Sequence, residues 1–217
     1  MIRPVTATTL IFDVMGTVVD IEGSIAAQAR AATGLGNEEL KPLLADWDAR
    51  LQRAMDEIVA GRAEWRPHEQ LRRDALPDGL PGALAGVVHR LDPWPDSPAA
   101  LGRLRELRTV AALSNADLPE LADLSAHGGL AWHAVLSASS VRAYKPAPAV
   151  YDMALEQLGV APEQAMLVAA HPWDLRGAAA RGYRTAYIAR PGGVRPAADD
   201  EFDLEAGDLH ALADQLA

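Results

Sequence analysis

Four apolar runs in this 217-residue chain each end in side chains able to do chemistry. LIFD closes on the carboxylate of Asp13, with Gly16 and Thr17 just beyond it. VAALSN delivers a hydroxyl and an amide, Ser114 and Asn115. AVLSA is followed by Arg142, Tyr144 and Lys145, and AMLVAA runs into His171 and Asp174. Ligands of parallel sheets bind outside the carboxyl ends of the strands. Two carboxylates, an ammonium, a hydroxyl and an amide are therefore expected on one rim. Each also has an ordinary role open to it when taken singly. Asp13 and Asp174 could cap turns or helices, Ser114-Asn115 could be turn chemistry, and Lys145 could sit in a solvated loop. His171 could be a hydrogen-bonded structural histidine. The order of the four strand ends is what carries the case.

The elements that must position these groups follow from the pattern. Thr8 to Val14 is too short and too β-branched for a helix and reads as a buried strand. From Glu22 to about Leu91 the signals are helical. Leu40, Leu43, Leu44, Trp47, Leu51, Met55 and Ile58 share one face of a long helix closed by Gly61. Pro67 opens a further helix through Leu76, and LPDGLPGALAG is a turn with a short helix. The three prolines of LDPWPDSP, residues 91–98, mark a crossing between domains.

Beyond it, strands and helices alternate. Ser97 and Pro98 read as the cap and first residue of a helix through Leu107. Helices are expected over Leu118 to Ala126, Pro148 to Leu158, Leu175 to Arg181 and Leu209 to Leu216. Strands are expected at TVAALSN, AVLSA, AMLVAA, RTAYIA and, last, near Phe202 to Leu204. Alternation of this kind means an α/β fold with a parallel sheet covered on both faces. The first strand belongs to that sheet. The expected division is thus a core of residues 1–19 and 94–217, interrupted by a helical insertion over 20–93.

Composition narrows the function. A formal net charge of -10 argues against a nucleic-acid surface. An anionic substrate must then be attracted by a local site. Cysteine is absent, which rules out thiolate nucleophiles, zinc–thiolate sites and disulfides. The N-terminal stretch MIRPVTATTLIFD lacks a leader-like apolar region, and no segment nears the ~20 apolar residues that span a bilayer. The expectation is a cytoplasmic protein without membrane or nucleic-acid partners, monomeric or homodimeric.

DVMGT, LSNA, the lysine of YKP and VAAHPWD together resemble the four motifs of the haloacid dehalogenase superfamily. The resemblance spans nearly the whole chain, including the insertion, which the family uses as an α-helical cap on a Rossmann-like core. RAYKPAPAVY and VAAHPWDLRGAAARGYRTAYIARP look most like its 2-haloacid dehalogenase branch. The resemblance implies Asp13 as a covalent nucleophile that expels halide from a small 2-haloacid and is regenerated by water. Lys145 would keep Asp13 ionised. Thr17 and Ser114 would orient carboxylates, Asn115 would donate to the halide, and Asp174, with His171, would hold or activate the water. Tyr151 matches a tyrosine near the family's active site.

Two positions depart from the commoner patterns. Most members are phosphatases and carry a second acid two residues after the nucleophile, which protonates an alkoxide. Here that position is Met15. A halide leaves unprotonated, so Met15 suits carbon–halogen displacement, with no metal or other cofactor expected. A Mg²⁺-dependent phosphatase is the alternative, and a non-catalytic binding protein of the same fold is another. In relatives a cap arginine that follows a tryptophan clamps the halide. Here Asp48 follows Trp47; Asp48 and Arg50 flank opposite edges of the apolar stripe, so Arg50 is either the substitute cation or, like Asp48, a solvated edge charge, and Arg53 points away.

Overall fold

Thr9–Phe12 forms β1, which lies inside a six-stranded parallel sheet between Thr109–Ser114 (β2) and Ala165–Ala169 (β4). The computed structural model describes residues 7–217. Residues 1–6, part of the N-terminal stretch considered above, lie outside the described residues. Ala134–Ser137 (β3) pairs with β2 on one side. Arg184–Ile188 (β5) and Leu204–Ala206 (β6) extend the sheet beyond β4, giving the order β3-β2-β1-β4-β5-β6. The order reverses between β1 and β4. Side chains leaving those two strands therefore meet over the crevice where open α/β sheets bind ligands.

β1 is buried on both faces because the sheet is covered on both faces. Leu10 and Phe12 enter one apolar layer and Ile11 the other, and all three are fully buried. The first layer contains Ser97–Leu107 (α4), Leu118–Gly128 (α5) and Leu209–Leu216 (α8). The second contains Pro148–Leu158 (α6) and Pro172–Ala179 (α7).

Every regular element between β1 and β2 is helical: Ile21–Thr33 (α1), Asn37–Val59 (α2), His68–Ala75 (α3) and a 3₁₀ stretch over Gly82–Arg90, then α4. The chain leaves and re-enters the core as two adjacent crossings. They are tied by Asp20 N–H to Asp92 O at 2.9 Å and by a bridge between Val19 and Pro93. Among the described residues no helix is long and apolar enough to cross a membrane.

Three local expectations change. α7 starts at Pro172, three residues before Leu175, because His171 is extended and proline at the first turn loses no hydrogen bond. Asp174 consequently lies inside the helix and is not its cap. α4 is capped at Asp96; the Ser97 hydroxyl donates instead to Val18 O at 2.7 Å. The last strand falls at Leu204–Ala206, two residues later than its apolar signal.

Leu10 is fully buried at the centre of the larger apolar layer. Leu10→Ala is expected to lower the unfolding free energy by about 2–5 kcal/mol, read from urea titration.

Candidate active site

The sheet itself places Asp13. Its backbone N–H donates to Val168 O at 3.0 Å, continuing the β1–β4 pairing by one residue. The chain then turns at Gly16, where φ is +76°. A Cβ at Gly16 would sit 3.0 Å from the His171 ring, so the turn needs glycine for its backbone and for the room it leaves. Thr17 follows, fully buried. Its hydroxyl donates to Asp13 Oδ2 at 2.6 Å and accepts the Ala170 N–H at 2.9 Å, joining the two strand ends.

Lys145 arrives from the loop after β3, and Asn115 Oδ1 accepts its backbone N–H at 2.8 Å. Its Nζ donates to Asp13 Oδ1 at 2.8 Å and to Asp174 Oδ2 at 2.5 Å. Asp174 is completely buried, and its other oxygen accepts the Tyr151 hydroxyl at 2.6 Å. His171 Nδ1 lies 3.0 Å from Asp13 Oδ2, and its side chain is 32% exposed. Ser114 Oγ accepts the Ala116 N–H at 3.2 Å, and Asn115 keeps its amide N–H groups for another partner.

Burial and charge work against each other here. Burial pushes the Asp13 carboxyl up, but the Lys145 ammonium and the His171 imidazole outweigh it and hold it well below the usual carboxylate range. For Asp174 burial wins: together with the charge of Asp13 it raises the carboxyl despite Lys145. Burial would lower Lys145, yet two carboxylates keep it above the ordinary lysine range. Burial also lowers His171, and the bond to Asp13 and its charge more than reverse that. The resting site thus favours an ionised Asp13 beside the Lys145 ammonium, with His171 shifted toward its protonated form.

A divalent cation does not fit these residues. Both oxygens of Asp174 and both of Asp13 already accept from Lys145, Tyr151, Thr17 or His171, and an ammonium fills the space between the two carboxylates. Among the described residues no group of three His, Cys, Asp or Glu is arranged to hold a metal.

Arg50 has its partner on its own helix, and Tyr151 joins the cluster through Asp174. Arg50 is exposed on α2 and paired with Asp46 one turn back at 2.7 Å. Its position on the edge of the apolar stripe puts it in water, as it does Asp48; Arg53, pointing away from the stripe, is exposed too. Tyr151 is fully buried with its hydroxyl on Asp174, so it braces that carboxylate. Met15 is half-buried against the larger apolar layer.

Gly177 and Tyr183 escaped the sequence reading. A Cβ at Gly177 would lie 2.5 Å from the Tyr151 hydroxyl, so glycine is what lets that tyrosine reach Asp174. Tyr183 donates to Tyr151 O at 2.7 Å. A glycine inside a helix pattern was the available signal for the first. Nothing local marked the second.

A family model described as haloacid dehalogenase-like hydrolase matches residues 7–182. Haloacetate dehalogenase H-2 of Moraxella sp. (strain B) is 30% identical over 191 residues, which cover 83% of this chain and 85% of that protein. The crystal structure of the L-2-haloacid dehalogenase PA0810 superposes with a TM-score of 0.87 at 37% identity, covering 97% of this chain and all of that one. A phosphoserine phosphatase of Thermus thermophilus is 30% identical over 195 residues, covering 83% of this chain and 76% of that protein.

The raised His171 has a consequence for stability. Its contribution is full below the unfolded histidine value of about 6.5 and is lost as pH rises through the higher folded value. His171→Asn removes it. The stability gap between wild type and His171→Asn is expected to be widest near about pH 5.5 and to narrow toward about pH 9 in urea titrations. A gap independent of pH would refute the coupling.

Proposed function

Because the chain belongs to the haloacid dehalogenase-like hydrolase family, we propose that it hydrolyses the carbon–halogen bond of small 2-haloacids, haloacetate and (S)-2-haloalkanoates, to 2-hydroxyacids. One observation carries the reading. Asp13 is held ionised by Lys145 and His171, while the position that would supply a proton to an alkoxide is the thioether of Met15. The site can make a nucleophile and has no acid there for a basic leaving group. A halide needs none.

In the first step an Asp13 carboxylate oxygen attacks the α-carbon from behind. The C–O bond forms as the C–X bond breaks, and the electron pair leaves with the halide. The amide N–H groups of Asn115 are free to receive it, and the Ser114 hydroxyl keeps a proton for the substrate carboxylate. The Thr17 hydroxyl and Lys145 hold the nucleophile in one orientation, which is where most of the advantage of a bound reaction lies.

Forming the ester removes the negative charge of Asp13. The hydrogen bond to that carboxylate and its charge are what raise His171, so in the ester the imidazole is shifted back toward its neutral form, which is a base. It then takes a proton from the water that attacks the ester carbonyl. The tetrahedral adduct collapses, the imidazolium gives that proton to the departing 2-hydroxyacid oxygen, which came from Asp13, and the new Asp13 carboxyl releases its remaining proton to become a carboxylate again. We assign the base to His171 over Asp174, because Asp174 is buried with both oxygens occupied and His171 reaches solvent. Asp174 anchors Lys145. No metal ion takes part in this reading, and α1–α3 serve as the wall that keeps water from the first step.

Similarity to a phosphoserine phosphatase supports a second reading, Mg²⁺-dependent phosphate-ester hydrolysis. One assay separates them: halide release from chloroacetate and both 2-chloropropionate enantiomers in chelator, beside p-nitrophenyl phosphate with Mg²⁺. The expected result is metal-independent halide release favouring the (S) enantiomer, with single-turnover product in heavy-oxygen water carrying no label. Asp13→Asn should lower halide release by at least ~10³-fold. Phosphate-ester turnover with no halide release would favour the phosphatase. Arg50→Ala should leave halide release nearly unchanged, since an exposed i,i+4 pair is worth about 0–1 kcal/mol.

A further inference from the structure

The turn that follows Asp13 presents successive backbone carbonyls, and each is held from outside the turn. Gly16 O accepts the Trp94 indole N–H at 3.2 Å. Thr17 O accepts Arg190 Nε–H at 2.8 Å. Val18 O accepts the Trp94 backbone N–H at 3.0 Å and the Ser97 hydroxyl at 2.7 Å. Trp94 and Ser97 belong to the crossing by which the chain returns from the helical insertion. Arg190 stands just past β5.

Arg190 binds the two parts together. Besides Thr17 O, its Nη1 donates to both oxygens of Asp96 at 2.8 and 2.9 Å, and its guanidinium lies over the Trp94 ring at 5.5 Å. Asp96 in turn accepts the Leu209 N–H at 2.7 Å, which anchors it to the core. The Arg190 and Asp96 side chains are only 5% and 11% exposed. A pair this buried is expensive to desolvate and returns little net stability. It does fix geometry, because a planar fork bonded on three sides has one orientation.

We propose that Arg190 is a positioning residue for the nucleophile, acting through Thr17, and that Trp94 and Asp96 complete a clamp linking the return crossing to the Asp13 turn. Thr17 transmits the constraint. Its carbonyl is held by Arg190 while its hydroxyl is held between Asp13 Oδ2 and the Ala170 N–H. A shift of the return crossing therefore moves Thr17, and with it the carboxylate oxygen that Thr17 and His171 share. The position of the insertion and the aim of the nucleophile become one variable.

The kinetic side of this inference rests on the dehalogenation reading, so the test has a second readout. Arg190→Lys keeps the charge beside Asp96 and cannot span both Asp96 and Thr17 O. Trp94→Phe keeps a ring under Arg190 and deletes the bond to Gly16 O. Arg103→Lys, at an exposed pair with Asp214, is the control. Arg190→Lys should lower kcat for a 2-haloacid by roughly 10- to 100-fold with KM changed less than about 3-fold, since displaced reacting groups cost rate at constant binding. Trp94→Phe should lower kcat by roughly 3- to 10-fold, the scale of one hydrogen bond. In both, the NMR titration midpoint of His171 should fall, because its Asp13 partner is displaced. Folding is checked by cooperative thermal melting. Should Arg190→Lys fail to fold, Trp94→Phe decides. Wild-type kcat in the folded variants would overturn the proposal. If the wild-type chain releases no halide at all, the dehalogenation reading falls, and an unmoved His171 midpoint then overturns the clamp on its own.

Discussion

The buried ammonium of Lys145 between Asp13 and Asp174 is the contact on which the rest of the site depends. Three charges removed from water cost several kcal/mol each unless every one is paired and hydrogen-bonded. Here they are. Lys145 bonds both carboxylates, Tyr151 takes the remaining oxygen of Asp174, and Thr17 with His171 takes that of Asp13. Removing one member leaves another uncompensated. This explains why residues that never face a substrate are constrained: Gly177 must lack a Cβ for Tyr151 to approach, and Asn115 must accept the Lys145 N–H.

The same contact separates the duties of two carboxylates that one lysine serves. Asp13 also has His171 and the Thr17 hydroxyl, so its ionised form wins over burial. Asp174 has burial and the negative charge of Asp13 against it, and it shifts the other way. The group poised to react is the one whose charge is supported from three sides. The Lys145 ammonium occupies the gap between the two carboxylates. Met15 fits the same logic only locally: its thioether cannot donate a proton two residues after Asp13.

Geometry then reaches outward from Asp13 through Thr17 to Arg190 and the crossing segment. The Asp13 turn, the two chain crossings and the end of β5 share hydrogen bonds, so the helical insertion is joined to that turn through its backbone. On the other side Arg50 stands at the exposed edge of α2. An amphipathic stripe places its edge residues in water, and Arg50 finds a partner one turn away on its own helix.

Strand–helix alternation determined the parallel sheet, and acids, amide and lysine at strand ends determined which rim carries the chemistry. Those signals are local: side-chain periodicity, turn residues and the residue type at a strand's end are set by neighbours a few positions apart. Asp13, Thr17, Lys145, His171 and Asp174 could be gathered from them because every strand of a parallel sheet points its carboxyl end to the same side. Which of these side chains touch was decided only in three dimensions. Lys145 lies 132 residues from Asp13, and Arg190 lies 173 from Thr17. Contacts at that separation depend on the strand order, on rotamers fixed by packing, and on where a glycine leaves space. The sequence therefore specified the cast and the rim. Tyr151 as a brace, Arg50 as a surface charge and Arg190 as a partner of Thr17 followed from the packing, because a side chain's partner is chosen by what the folded chain brings within about 3 Å of it.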